Sequence, residues 1–125
     1  MRDLARRLLA ASQSAAGSEA QEAVLVNEKL RIALIQFAGA DGFTSLLRRA
    51  LALASVEAPA LKSASVSADG RLEGLEQLVT LPGSVAGAAA VAITAQMLGL
   101  LVTFIGEPLT LRLVRQAWPN LSLGE

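Results

Sequence analysis

The spacing of apolar positions reads as helix along most of the chain. Leu4, Leu8 and Ala11 recur at helical spacing among Arg2, Arg6 and Arg7, which predicts a first helix. The Arg- and Ser-rich start also has the flavour of a leader peptide, but its apolar patch, Leu8 to Ala11, is shorter than the roughly 7–15 residues of a secretory core. Ser18 then opens SEAQ, a capping box in which the Ser hydroxyl and Gln21 satisfy free amides while Glu19 and Glu22 suit the helix dipole. Behind it Ala23, Val26, Leu30, Ala33, Leu34 and Phe37 form one apolar stripe, with Asn27, Glu28 and Arg31 on a solvated face. Gly39 ends this helix and Asp41 is placed to cap the next. There Phe43, Leu46, Leu47, Ala50, Leu51 and Ala54 face inward and Arg48 and Arg49 face water, up to a stop at Pro59.

The Ser-rich region from Leu61 to Leu78 breaks the pattern. Asp69-Gly70 is a pair that closes tight hairpins, so SVSADGRLE reads either as two very short strands around Val66 and Leu72 or as a plain loop. Leu72, Leu75 and Leu78 then suit a brief helix before Pro82. At the other end, Pro108 and Pro119 bracket a short helix from Leu109 to Trp118, hinged at Gly106. Its core stripe is Leu109, Leu113, Val114 and Ala117, and Arg112, Arg115 and Trp118 recur every three residues on a neighbouring face.

Between these lies a run without charge, from Gln77 to Gly106. As a helix, its 22 residues from Ser84 to Ile105 extend about 33 Å, enough to cross a hydrocarbon core of about 30 Å. Gly83 and Gly87 even have the GxxxG spacing of paired membrane helices. Against a span, the first half is mostly Ala and Gly, Gln96 falls near the midpoint, and neither flank carries a Lys/Arg cluster or an aromatic belt. A soluble bundle explains the run better. The two amphipathic stripes before it need an apolar partner, and a helix apolar on every side supplies one. The expected fold is therefore all-α: a single domain, residues 1–125, forming a compact bundle of about five helices around a long apolar helix at roughly 84–105, with room for a tiny β-hairpin near 64–73. A membrane span at 84–105 is the alternative.

Composition narrows the function rather than the fold. Eleven Lys and Arg balance eleven Asp and Glu, which removes the attraction that drives binding to nucleic acid. The chain has no Cys, no His and no Tyr, so thiolate sites, His-based metal spacings and the usual neutral-pH general base are missing. Glu73 and Glu76 lie three apart but have no His to complete a metal site, and no GxGxxG, GxxxxGK, HExxH or GxSxG occurs. The expectation is a non-enzymatic cytoplasmic domain without a cofactor, working by protein–protein contact or homo-oligomerisation. A membrane-anchored protein and a carrier of an apolar ligand are the alternatives. The candidate contact face is Arg112, Arg115 and Trp118, since guanidinium and indole groups are common at interface hot spots. Gln96 is the polar side chain expected to be buried, hydrogen-bonded to a neighbouring helix.

Overall fold

The computed structural model describes residues 2–11, 19–74 and 83–118. Helix α1 is Arg2–Ala11 and α2 is Glu19–Glu57. A 3-10 turn follows at Pro59–Ser63, then strands β1, Ser65–Val66, and β2, Leu72–Glu73, then α3, Gly83–Ile105, and α4, Glu107–Ala117. The Ser18–Gln21 capping box, the side chains of Ala11, Ala23 and Phe37, the brief helix leading to Leu78, and Glu76 lie outside the described residues and side chains.

The break expected at Gly39 is present. With φ 77° and ψ 167°, Gly39 occupies backbone space that essentially only glycine enters without strain, and it divides α2 into two arms. Asp41 does not begin the second arm as a cap; it is exposed in the first turn, where its charge still suits the helix N-terminus. Thr44 Oγ1 donates to Ala40 O at 2.8 Å, so the second arm is already helical from there.

Both arms turn their predicted stripes to the core, with Ala33, Leu46 and Leu51 half-buried at its margin. Val26, Leu30 and Leu34 come from the first arm, and Phe43, Leu47, Ala50 and Ala54 from the second. All of them join one core with Ala5, Leu8 and Leu9 of α1. Helix α3 packs against α1, α2, α4 and the 3-10 turn, so the bundle is built around the long apolar helix. Ala86, Ala89, Ala90 and Ala92 fill its narrow half, where small side chains let neighbouring backbones approach, and Met97, Leu98 and Leu101 fill the wider half. Burying each of those large side chains contributes about 1.5–3 kcal/mol. Burial is one-sided, however. Val85 is 41% and Phe104 68% exposed on the outer face.

Gly106 (φ 91°) turns the chain from α3 into α4, and Pro108 occupies the first turn of α4. Gly106 O accepts from both Thr110 N, at 3.1 Å, and Thr110 Oγ1, at 2.8 Å. Thr110, Leu113 and Val114 are the residues that α4 buries, with Leu109 left half-buried.

Residues 65–73 form the hairpin rather than a plain loop. Its strands are antiparallel, with Ser65 opposite Glu73 and Val66 opposite Leu72. Gly70 N donates to Ser67 O at 3.1 Å and Ser67 N to Arg71 O at 2.9 Å, closing the loop around a Gly70 with φ 84°. Gly74, also left-handed at φ 80°, sits so close to the 3-10 turn that an added Cβ would lie 2.5 Å from Ser63 O.

These two glycines make different predictions. Gly39→Ala meets nothing within 4 Å, so its cost is backbone strain alone, about 1–3 kcal/mol. Gly74→Ala adds a collision with backbone to the same strain and should cost more. Urea unfolding of both variants measures the order; an equal or smaller loss at Gly74 would contradict the close seat of the hairpin.

Candidate functional site

The candidate contact face does not assemble as the spacing suggests. Arg112 and Arg115 are exposed on α4, but Trp118 is buried, with only 4% of its surface accessible. Residue 118 has left helical geometry (φ −128°, ψ 75°), so the three-residue interval from Arg115 no longer sets its direction. The indole turns inward. Lys29 Nζ lies 5.3 Å from its ring centroid and donates to Ala117 O at 3.4 Å, placing a cation at the C-terminal end of α4 where the dipole favours one.

What the structure brings together instead is a polar face on the first arm of α2. Asn27, Glu28 and Arg31 are not the solvated surface that their pattern suggests, because the hairpin lies against them. Asn27 is 5% exposed, and its Nδ2 donates to Gly70 O at 3.2 Å. Arg31 Nε donates to Asp69 O at 2.7 Å, and its Nη1 pairs with Glu28 Oε1 at 3.0 Å. Glu28 Oε2 lies 3.9 Å from Arg71 Nε, which is also 3.5 Å from Asp69 Oδ2. With Lys29, one helical segment thus holds carbonyls of both the hairpin turn and α4. A tight turn leaves carbonyls without strand partners, and side chains from a neighbouring helix supply the donors.

Within the turn, the Ser67 hydroxyl donates to Asp69 Oδ1, and Arg71 N donates to Ser67 Oγ at 3.1 Å. The Ser67 bond is the main cause that holds the Asp69 carboxyl below its usual 3.8, with smaller contributions from its own backbone amide, Arg71 and Arg31 opposing desolvation.

Gln96 is half-buried rather than buried, and its Nε2 donates to Glu57 Oε2 at 2.8 Å, so the expected bond to a neighbouring helix is made at the surface. The buried polar side chains among the described residues are Asn27, Thr44, Thr94 and Thr110. Thr44 and Thr110 each satisfy their hydroxyl on the carbonyl four residues back, which helical threonine does readily. Asn27 was grouped with its charged neighbours in sequence. The signal for its burial is position: it borders Val26 and lies three residues before Leu30, at the margin of the stripe.

Two features of the surface stand out among the described residues. A shallow cleft of about 320 Å³ between α2 and α4 is lined by Lys29, Ile32, Ala33, Gln36, Gln116 and Ala117. Helix α3 is the other: it is exposed at Val85 and Ala88 near its start and at Thr103 and Phe104 near its end, with Val91, Gln96, Gly99 and Leu100 half-buried between them and no charged residue on it. Among the described residues no three carboxylates gather closely enough to hold a metal ion.

The hairpin clamp can be measured. Arg31→Ala should cost about 1–2 kcal/mol, because Asp69 O loses a charged donor, whereas Arg48→Ala, on a solvated face, should stay within about 0.5 kcal/mol. Equal urea midpoints for the two variants would remove the clamp. The Asp69 value is depressed in the fold, so what that carboxylate adds is intact above about pH 4 and is lost as acid carries the pH down through the lowered value. A carboxyl-carbon NMR titration should place Asp69 below 3.8 and move it upward in Ser67→Ala; an unmoved midpoint would show that the hydroxyl is not the cause. Comparison of the chain with protein-family models, with curated protein sequences and with solved structures returns no match.

Proposed function

We propose that this chain is a non-enzymatic helical domain that acts by protein–protein contact, and that the contact is with a second copy of itself across the outer face of α3. The observation that carries this reading is that face: Phe104 is 68% and Val85 41% exposed along a helix without a charged residue. Large apolar side chains left in solvent on a helix that carries no charge mark a contact site. Towards the end of α3, half-buried Gly99 and exposed Thr103 lie beside Leu100 and Phe104, so small positions on one copy can receive large ones from another in a two-fold arrangement. A net charge of zero leaves no overall repulsion between copies. Leu53 and Val56, 40% and 82% exposed, are further apolar side chains in solvent on α2, close in sequence to Glu57, whose carboxylate is bonded to Gln96 of α3. A cytosolic location accompanies this reading.

Membrane insertion is favoured by one observation, the stretch Val85–Ile105, whose 21 residues have a mean hydropathy of 2.1. The bond from Gln96 to Glu57 weighs against it. A carboxylate held 2.8 Å from the middle of α3 would lie near the bilayer centre, where an ionised group is costly. The carrier reading draws little support from the interior space between α2 and α3, about 10 Å³; the cleft between α2 and α4 reaches the roughly 300 Å³ of ligand pockets but is shallow and half lined by polar side chains, where an apolar ligand needs an enclosed apolar site.

Light scattering of the chain expressed without detergent tests the proposal. The wild type should have twice the chain mass. Phe104→Glu should run at the mass of one chain with its helical circular dichroism retained, while Arg112→Glu/Arg115→Glu should stay dimeric. A wild-type monomer would overturn self-association, and recovery from membranes alone would favour insertion. A dimer broken by the arginine pair and not by Phe104→Glu would return the contact to α4.

A further inference from the structure

We propose that a single water molecule is a structural ligand of this fold, bound between α2 and α3 by Asn27 and Thr94. The orientation of the Asn27 amide comes first. Gly70 O can only accept, so the group 3.2 Å from it must be the amide nitrogen, and the carboxamide oxygen is directed away from the hairpin. That oxygen, Asn27 Oδ1, is buried and has no hydrogen-bond partner among the described residues. Buried polar atoms are paired in nearly every folded protein, by other groups or by ordered water.

The space beside it has the right size and chemistry. A cavity of about 10 Å³ opens between α2, β2 and α3, and its lining includes Asn27, Thr94, Leu72 and Met97. A volume of about 10–15 Å³ is what one water needs, provided that at least two polar groups reach it; a purely apolar cavity stays dry. Thr94, 4% exposed, supplies the second group from the α3 wall. The water donates one hydrogen to Asn27 Oδ1 and pairs with the Thr94 hydroxyl. Asn27 thereby becomes a three-way joint: its nitrogen holds the hairpin, its oxygen holds the water, and the water holds α3. Neither a self-contact nor any other use of the outer surface enters this inference.

A crystal structure of the full chain at a resolution that shows ordered water, together with magnetic relaxation dispersion of water in solution, tests it. The expected result is one water within hydrogen-bond distance of Asn27 Oδ1, and a count of long-lived internal waters that falls by one in Thr94→Val, a change that keeps shape but removes the hydroxyl. Urea midpoints check that the variant folds. A dry cavity, a reversed amide with its oxygen on a protein donor, or an unchanged water count in a folded Thr94→Val would each overturn the proposal. If Thr94→Val does not fold, the wild-type crystal decides alone: water at Asn27 Oδ1 upholds the site and its absence there rejects it.

Discussion

The structure depends on covering α3. A helix of 23 residues with no charge and few polar groups has no solvated face of its own, so stability requires other elements to take its surface from water. No other helix of the chain could do this as a straight rod. The break at Gly39 lets one long segment, α2, present two differently directed apolar stripes to the same core, and α1, the 3-10 turn and α4 pack against what remains. The alanines in the first half of α3 set how near those neighbours come. Larger residues there would push the bundle apart and leave the stripes of α2 partly wet.

A second task falls to the first arm of α2. Short connections between packed helices leave backbone carbonyls that neither strand nor helix can satisfy, and here Asn27, Lys29 and Arg31 donate to Gly70, Ala117 and Asp69 respectively. Three donors within five residues therefore hold the hairpin and the end of α4 in place. Surface ion pairs such as those of Glu28 with Arg31 and Arg71 add little energy by comparison. Their role is to keep the long side chains extended towards the hairpin, where the carbonyls are.

This division explains what could be read in advance. Apolar spacing depends on the helix alone, so the stripes of α2, the break at Gly39, the turn at Gly106 and the small and large halves of α3 were legible in sequence. The hairpin was legible as one of two readings, through its Asp69-Gly70 pair. The polar contacts were not, because each depends on what lies opposite. Asn27 looks like its neighbours Glu28 and Lys29 until the hairpin is seen against it, and Gln96 looks deeply buried until Glu57 is seen to meet it at the surface. Trp118 leaves the line of Arg112 and Arg115 for a local reason: helical counting fails one residue after the helix ends.

The same logic bears on the apolar side chains that α3 leaves uncovered. The fold spends α1, α2 and α4 on the inner and lateral sides of α3 and still leaves Val85 and Phe104 in contact with solvent. Charged residues are available in this chain and occupy the outer positions of α2 and α4, at Arg48, Arg49, Arg112 and Arg115. Their complete exclusion from the outer side of α3 is thus a property of that surface and not of the composition. A surface kept free of charge while its neighbours are charged suits contact with another apolar surface. The Gln96–Glu57 bond limits the choice of cover, since it keeps an ionised group midway along α3, in line with Val85 and Thr103, and requires water or polar partners beside it, as a wet protein interface provides.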